Sequence, residues 1–229
     1  MLPSYLDPAS PPPGRFRAVL FDVDGTLIDT ADLIADALEH ACRTHLGRTH
    51  DRNYYYSLIG KPALVQMEIL GEGADPHPLL ESAIEYYEAH AAEERAFPGA
   101  LDTLAQLREV GIRVGLVTSK LRRELDPTLE RIPLQRYVSV IVTSDLTTRP
   151  KPFPDPVYLA LQTLQLPAEY VVFLGDSPYD LQSGRAAGVR TAAATWGPHP
   201  RETLAAEQPD LMAASFRDVL RYCGLGRER

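Results

Sequence analysis

The chain has 229 residues, of which 45% are hydrophobic and 24% are charged, and its formal net charge is -8. These values allow one substantial core domain with a smaller unit attached, and they exclude a largely disordered chain. The acidic balance excludes nucleic-acid binding as a main role, because a polyanionic partner requires a basic surface, whereas a small anionic substrate needs only local positive charge.

The N-terminal segment predicts a tail rather than a targeting sequence. Residues 1–14 are rich in proline and are expected to be extended, and they lack the basic start and apolar run of a secretory signal. No stretch of the sequence is long and apolar enough to cross a membrane. Cys42 and Cys223 lie in no zinc-ligand pattern and are expected to be free thiols. We therefore expect a cytoplasmic monomer or homodimer that binds no membrane.

The first predicted strand covers residues 17–21, whose bulky apolar side chains are typical of a buried strand, and it ends at Asp22. Helical spacing then dominates residues 29–95, with Asp29 or Thr30 as the N-cap of the first helix. Further helices are predicted over about 54–70 and 78–94. Since no strand pattern interrupts it, this region is interpreted as a separate helical unit.

From residue 98 onwards, strands and helices alternate. The strands are predicted at 112–118, 138–143, 170–175 and 189–195, and the helices at 100–110, 122–130, from 155, and at 179–187. Asp155 is expected to be the N-cap of the third of these helices, with Pro156 at its first position. A short edge strand at 210–212 and a helix at 215–223 complete the chain. This alternation predicts an α/β fold with a doubly wound parallel sheet, in which ligands bind beyond the carboxyl ends of the strands.

Polar side chains occur at the carboxyl ends of four predicted strands. They are Asp22 and Asp24, then Thr118, Ser119 and Lys120, then Lys151, and finally Asp176 and Asp180. Clustered carboxylates repel one another unless a cation neutralises them. Oxygen ligands without histidine or cysteine favour Mg²⁺, so we predict a magnesium site formed by Asp22, Asp24, Asp176 and Asp180.

The remaining strand-end residues suit the binding of a phosphate group. Lys151 lies among four prolines that restrict its backbone, and together with the metal it would offset the charge of a phosphate dianion. Thr118 and Ser119 can donate hydrogen bonds to phosphate oxygens. For Lys120 the sequence leaves two interpretations open, a solvated surface lysine and a residue of the site.

These residues match the four motifs of the haloacid dehalogenase superfamily. The motifs are residues 22–26, Thr118, Lys151 and residues 175–180, and the resemblance extends from about 17 to 195. Residues 27–30, 117–120, 151–156 and 195–196 are similar to the phosphoglycolate phosphatase and pyrophosphatase branch of the superfamily. The resemblance implies a Rossmann-like core, over 15–28 and 96–229, with a small all-helical cap over 29–95 inserted after the first strand.

The resemblance also implies roles for single residues. Asp22 would be the nucleophile and a metal ligand, and Asp24 the general acid and base and a metal ligand through its main-chain carbonyl. Thr118 and Lys151 would bind the phosphoryl group, while Asp176 would ligate Mg²⁺ and Asp180 would support the ion directly or through water. These roles imply a magnesium-dependent phosphoric monoester hydrolase, acting on a small phosphate ester or anhydride such as phosphoglycolate or pyrophosphate through a phospho-aspartate. True dehalogenases lack the second acid, so Asp24 disfavours dehalogenation.

Specificity is expected to come from the cap. Lys61 lies in a break between helices at 58–62 and is a candidate contact for a second anionic group of a phosphorylated metabolite, although it could also be a solvated lysine. Tyr54, Tyr55 and Tyr56 are expected to pack against the core. Three alternatives remain: a phosphomutase of the β-phosphoglucomutase type, a nucleotidase, and a non-catalytic binding protein on the same fold.

Overall fold

The computed structural model describes residues 16–225, so the predicted tail at 1–14 lies outside the described residues. The strands within this range are β1 (Ala18–Phe21), β2 (Ile28–Asp29), β3 (Arg95–Ala96), β4 (Arg113–Val117), β5 (Val140–Val142), β6 (Val171–Gly175), β7 (Arg190–Ala194) and β8 (Leu211–Ala213). Six of them form one sheet in the order β5-β4-β1-β6-β7-β8, and every pairing in it is parallel. The predicted doubly wound α/β sheet is thereby confirmed.

The helices surround this sheet or form the cap. They are α1 (Ala31–Leu46), α2 (Arg52–Leu58), α3 (Ala63–Gly71), α4 (Pro76–His90), α5 (Ala100–Glu109), α6 (Arg122–Arg131), α7 (Asp155–Leu164), α8 (Pro178–Ala186), α9 (Arg201–Ala206) and α10 (Phe216–Tyr222). The sequence analysis did not predict α9, whose six residues are too few for a helical pattern. No helix of residues 16–225 combines the length and the apolar composition that crossing a membrane requires.

Strand β1 lies in the middle of the sheet and has both of its faces covered. Val19 and Phe21 pack into one hydrophobic cluster, together with side chains from α5, α6 and α10. Ala18 and Leu20 pack into a second cluster, which α7 covers. Because alternate side chains of a strand point to opposite faces, a continuous apolar run is what a strand buried on both faces requires.

The register of β1 brings the predicted motifs to one edge of the sheet. Phe21 is paired with Leu116 of β4 and with Leu174 of β6. The residues that follow these three strands therefore emerge side by side, as parallel pairing demands.

The helical cap consists of α1 to α4 and has a core of its own, which includes Leu38, Tyr55, Met67, Leu70 and Leu79. The chain enters the cap through β2 and leaves it through β3, and these two strands pair antiparallel. The sequence analysis did not predict β2 and β3, because a strand of two residues is too short to show alternation.

Two helix starts differ from the sequence-based expectation. Thr30 is the N-cap residue of α1, but its side chain makes no capping hydrogen bond and donates instead to Asp24. Asp155 is the first residue of α7 rather than its N-cap, a position held by Pro154. The carboxylate of Asp155 pairs with Arg149. In both cases the side chain contacts a residue six positions earlier in the chain instead of capping the helix.

Candidate active site

Three buried carboxylates meet at the edge of the sheet. Asp22 follows β1, Asp176 follows β6, and Asp180 lies in the first turn of α8. One carboxylate oxygen from each lies within 4.8 Å of the others, and none of the three residues is more than 3% exposed. Burial raises the pKa of Asp22 to about 7, against the attraction of Lys151, and it also raises the pKa of Asp176 well above its usual value. The cluster therefore requires positive charge to stay ionised.

Lys151 supplies part of that charge. Its Nζ donates to Asp22 Oδ1 at 2.9 Å and to Asp180 Oδ1 at 2.6 Å. Burial alone would lower the pKa of Lys151, but the attraction of Asp180 and Asp22 outweighs it, and the pKa is raised. The buried lysine is thus charged and offsets one of the three acids, as its predicted place in the site requires.

The donor set around Asp176 fits a hard divalent cation. Asp176 Oδ1 accepts a hydrogen bond from Thr26 Oγ1 at 2.6 Å, whereas its Oδ2 is buried and accepts none. The backbone of Gly25 has φ +78° and lies against this oxygen. A Cβ at Gly25 would lie 2.5 Å from Asp176 Oδ2, so a residue with a side chain would not fit. An orphaned carboxylate oxygen beside two further acids, with no histidine or cysteine in the group, is the chemistry that Mg²⁺ prefers.

Asp180 is held in place by the start of α8. Its Oδ2 accepts hydrogen bonds from Ser177 N at 3.1 Å and from Ser177 Oγ at 2.5 Å, and the Asp180 N–H bonds back to Ser177 Oγ. This reciprocal pattern is a capping box with an aspartate in its third position. One oxygen of Asp180 is therefore committed to the helix, and the other faces Lys151.

Asp24 lies apart from the three-acid group and has a lysine of its own. Its Oδ1 accepts from Lys120 Nζ at 2.9 Å and from Thr30 Oγ1 at 2.8 Å. The Lys120 side chain is only 12% exposed. Burial would lower the pKa of Lys120, but the attraction of Asp24 outweighs burial and the pKa is raised. The interpretation of Lys120 as a solvated surface lysine is therefore wrong. A ligand role for Asp24 through its main-chain carbonyl stays a prediction.

A buried network extends from Lys120 into the cap. The Tyr87 hydroxyl of α4 lies 3.4 Å from Lys120 Nζ and donates to Glu94 Oε1 at 2.6 Å. Glu94 also accepts from Thr128 Oγ1 at 2.9 Å and from Arg131 Nε at 2.8 Å, both on α6. Burial raises the pKa of Tyr87, so the hydroxyl keeps its proton. Glu94 thus ties the cap to the core beside β3. The sequence analysis missed this network, because Tyr87 and Glu94 resemble ordinary helical residues.

The break between α2 and α3 lies against the strand-end loops. Ser119 Oγ donates to Gly60 O at 2.6 Å, and Tyr179 Oη donates to Ser57 O at 3.3 Å. Lys61 Nζ lies 3.8 Å from the centroid of the Tyr179 ring. These contacts hold the cap over the core. The Ser119 hydroxyl is thus hydrogen-bonded to the cap. The substrate contacts expected of Ser119 and Lys61 stay predictions.

A cavity of about 440 Å³ separates the cap from the strand ends. Asp22, Asp24 and Thr118 line its floor, and Lys61 lines its wall. Thr118 is 3% exposed, and its Oγ1 accepts from the Lys120 N–H at 3.2 Å, so its own proton is available to a ligand. Five of the eight predicted site residues line this cavity, namely Asp22, Asp24, Lys61, Thr118 and Ser119. Lys151, Asp176 and Asp180 are not part of the lining and lie beside Asp22.

The three consecutive tyrosines of α2 do not line this cavity. Tyr55 is fully buried in the cap core, and its hydroxyl accepts from His50 N at 2.9 Å. Tyr56 donates to Asp32, and Tyr54 is 39% exposed. Their roles are therefore within the cap.

Known proteins are similar to this chain in sequence. A family model described as haloacid dehalogenase-like hydrolase matches residues 19–194. The pyrophosphatase PpaX of Anoxybacillus flavithermus is 32% identical over 216 residues, which cover 92% of this chain and 98% of that protein.

Solved structures are similar in fold as well. A putative phosphoglycolate phosphatase from Lactobacillus plantarum has a TM-score of 0.82 and 25% identity, covering 90% of this chain and 99% of that one. A variant of CbbY from Rhodobacter sphaeroides, in complex with xylulose-1,5-bisphosphate, has a TM-score of 0.75 and 26% identity, covering 88% and 95% of the two chains.

Proposed function

The chain belongs to the haloacid dehalogenase-like hydrolase family, and we propose that it is a magnesium-dependent phosphatase. It hydrolyses a small phosphorylated metabolite, an ester or anhydride of phosphoric acid, through a phospho-aspartate on Asp22. One observation carries this proposal: Asp22 lines the cavity floor while its carboxylate contacts Lys151 and belongs to the three-acid group. A nucleophile in that position has positive charge beside it to attract a phosphate dianion.

The proposed reaction has two steps. An oxygen of Asp22 attacks phosphorus, the bond from phosphorus to the leaving oxygen breaks, and that oxygen takes a proton from Asp24. A water molecule then gives a proton to Asp24 and attacks the acyl phosphate, which releases phosphate and restores Asp22. Lys120 and Thr30 hold the carboxylate of Asp24 in place for both transfers.

The other residues of the floor hold the phosphoryl group. The Thr118 hydroxyl and the Lys151 ammonium group donate hydrogen bonds to phosphoryl oxygens. Asp22, Asp176 and Asp180 would hold Mg²⁺, which when bound supplies charge to offset repulsion between the carboxylates and the phosphate. The ion's identity as Mg²⁺ is part of the proposal, and the oxygen-only donor set supports it.

The domain boundaries and the cellular location are also proposals. We assign 15–28 and 96–229 to the core and 29–95 to the cap, a division supported by the pairing of β2 with β3 where the chain enters and leaves the cap. Cys42 and Cys223 are free and buried, which supports a cytoplasmic location.

Phosphate release from a substrate panel tests the proposal. The panel contains pyrophosphate and phosphoglycolate, because proteins similar to this chain carry those names, together with sugar phosphates, a sugar bisphosphate and nucleotides. Magnesium-dependent release from at least one member is the expected result. Conversion of a hexose 1-phosphate without phosphate release would instead favour the mutase, and no turnover of any member, or of a simple alkyl phosphate, with Mg²⁺ present would overturn the proposal.

A further inference from the structure

The wall of the cavity on the cap side is mainly aliphatic, although Gln66, Tyr87 and Glu88 also line it. Helices α1, α3 and α4 all contribute to it, and its apolar members include Ile34, Leu38, Met67, Leu80, Ala83 and Ile84. The polar floor with Asp22 and Asp24 belongs to the same cavity. A molecule bound at the floor by its phosphate group therefore extends its other end against hydrocarbon.

Part of this wall is not needed to build the cap. Leu38 and Met67 belong to the cap core and are buried there. Ile84 is half-buried, lines the cavity, and belongs to none of the hydrophobic clusters formed by residues 16–225. An apolar ligand that covered Ile84 would remove hydrocarbon surface from water, which is favourable.

Two cations that line the cavity are already paired with carboxylates. Lys120 is paired with Asp24, and Arg131 is paired with Glu94. A second anionic group of a substrate would have to compete with these carboxylates for either cation. Lys61 is the remaining lysine of the wall, and its ammonium lies on the ring of Tyr179.

Carboxylates also line the space beyond the floor. Glu88 and Glu124 both face the cavity. Glu124 Oε1 is buried and accepts no hydrogen bond from the residues that the structure describes. An anionic end, such as the second phosphate of pyrophosphate or the carboxylate of phosphoglycolate, would be repelled there. A neutral leaving group avoids this cost.

The volume agrees with these features. At about 440 Å³ the cavity lies in the range of roughly 300–1,000 Å³ that is typical of small-molecule sites, whose walls are mainly apolar with a few placed polar groups. Pyrophosphate and phosphoglycolate have no hydrocarbon body to set against such a wall.

We propose that the substrate is a phosphate monoester whose leaving group carries an uncharged, apolar body, and that this body lies against the aliphatic wall of the cap. This inference rests on the proposed phosphatase function and specifies its substrate class. The phosphate end is recognised at the strand ends, and the cap selects by covering hydrocarbon.

A series of n-alkyl phosphates from methyl to hexyl tests this directly in the wild-type protein with Mg²⁺. The alcohols released have closely similar acidity, so differences in kcat/KM report on contacts with the chain rather than on leaving-group chemistry. Burying one methylene group is worth about 0.8 kcal/mol, so we expect kcat/KM to rise by up to about fourfold per added carbon. Pyrophosphate and phosphoglycolate are expected to be poorer substrates than the longer esters.

Two matched variants assign the effect to the wall. Ile84→Asn places an amide on the cavity wall and is expected to lower the hexyl-to-methyl ratio of kcat/KM by about tenfold, which is roughly 1.4 kcal/mol at 25 °C. Leu64→Asn is the control, because Leu64 is 38% exposed on α3 and does not line the cavity. The control is expected to leave the ratio unchanged.

The outcomes separate this inference from the proposed function. Phosphate release that does not depend on chain length, or that favours pyrophosphate over every alkyl ester, would overturn the apolar leaving group and leave the phosphatase intact. If no phosphate compound is turned over with Mg²⁺, the phosphatase itself fails. An equal fall of the hexyl-to-methyl ratio in both variants would remove the wall as the cause.

Discussion

Lys151 and Lys120 each pair with an acid of the predicted catalytic segment, but their surroundings differ. Lys151, with a side chain 1% exposed, contacts Asp22 within loops that all belong to the main sheet. Lys120, with a side chain 12% exposed, contacts Asp24 and meets Tyr87 of the cap helix α4. Asp22, the proposed nucleophile, is therefore positioned by loops of the sheet, whereas Asp24, the proposed acid and base, has its surroundings completed by the cap.

The two regions should therefore respond differently to substitution. A change in the loops at the sheet edge alters the buried charge balance around Asp22. A change in the contacts between cap and core leaves that balance intact and alters how Asp24 is held.

Loss of the nucleophile should outweigh any other single change. Asp22→Asn is expected to lower the rate of phosphate release by a factor of about 10⁴ or more, since the amide cannot form the acyl phosphate. Asp102→Asn, at an exposed position of α5, is the control and should keep full activity. Single-turnover phosphate release measures both variants, and normal turnover by Asp22→Asn would disprove the covalent route.

The two lysines should differ in their contribution to stability. Lys151→Met leaves Asp22 and Asp180 buried without their shared counter-charge, and we expect it to cost about 3–5 kcal/mol of unfolding free energy. Lys120→Met should cost less, about 1–3 kcal/mol, because its pair with Asp24 is less buried. Urea unfolding without metal measures both. Equal costs would contradict the contrast between the two regions.

Contact between cap and core is tested by a single methyl group. A Cβ at Gly60, at φ +98°, would lie 2.7 Å from Ser177 Oγ, so Gly60→Ala should disturb the closed cap and lower kcat/KM by about 10- to 100-fold. Gly73→Ala is a close control, because Gly73 has φ +99° and nothing within 4 Å of its Cβ position. Similar losses in both variants would show that backbone strain, rather than the contact, is responsible.

The smallest expected effect comes from one hydroxyl group. Tyr87→Phe removes the hydrogen bond to Glu94 and the contact with Lys120, and we expect a three- to tenfold lower kcat and a stability loss of about 1–2 kcal/mol. Tyr86→Phe, on the same helix, is the control. The side-chain contacts of Tyr86 are made by its ring, which stacks on histidines, and phenylalanine keeps that ring. Steady-state kinetics and urea unfolding measure both. A kcat for Tyr87→Phe that equals the wild-type value would show that the network around Tyr87 does not affect the function of Asp24.

The sheet and the catalytic floor could be predicted because their signals are local. The apolar run that ends at Asp22 predicts a buried strand, and parallel pairing then brings the neighbouring strand ends to the same edge. The link between Ser177 and Asp180 was also readable as a capping box, although the sequence analysis did not use it.

Other features carried no such signal. The two-residue strands β2 and β3 show no alternation, yet they join the cap to the core. Asp155 was expected at the N-cap but is the first residue of α7, and its carboxylate pairs with Arg149, six residues away. These elements depend on contacts that local propensity does not encode.

The class of fold, the family resemblance and the acids of the floor could be read from the sequence, because strand periodicity and strand-end position are properties of short segments. The burial of Lys120 could be read only from the folded structure, since its partner Asp24 lies 96 positions away in the chain. The same holds for the Tyr87–Glu94 network and for the aliphatic wall around Ile84. Burial and charge pairing depend on which distant side chains are brought together, and packing of the cap onto the core determines that.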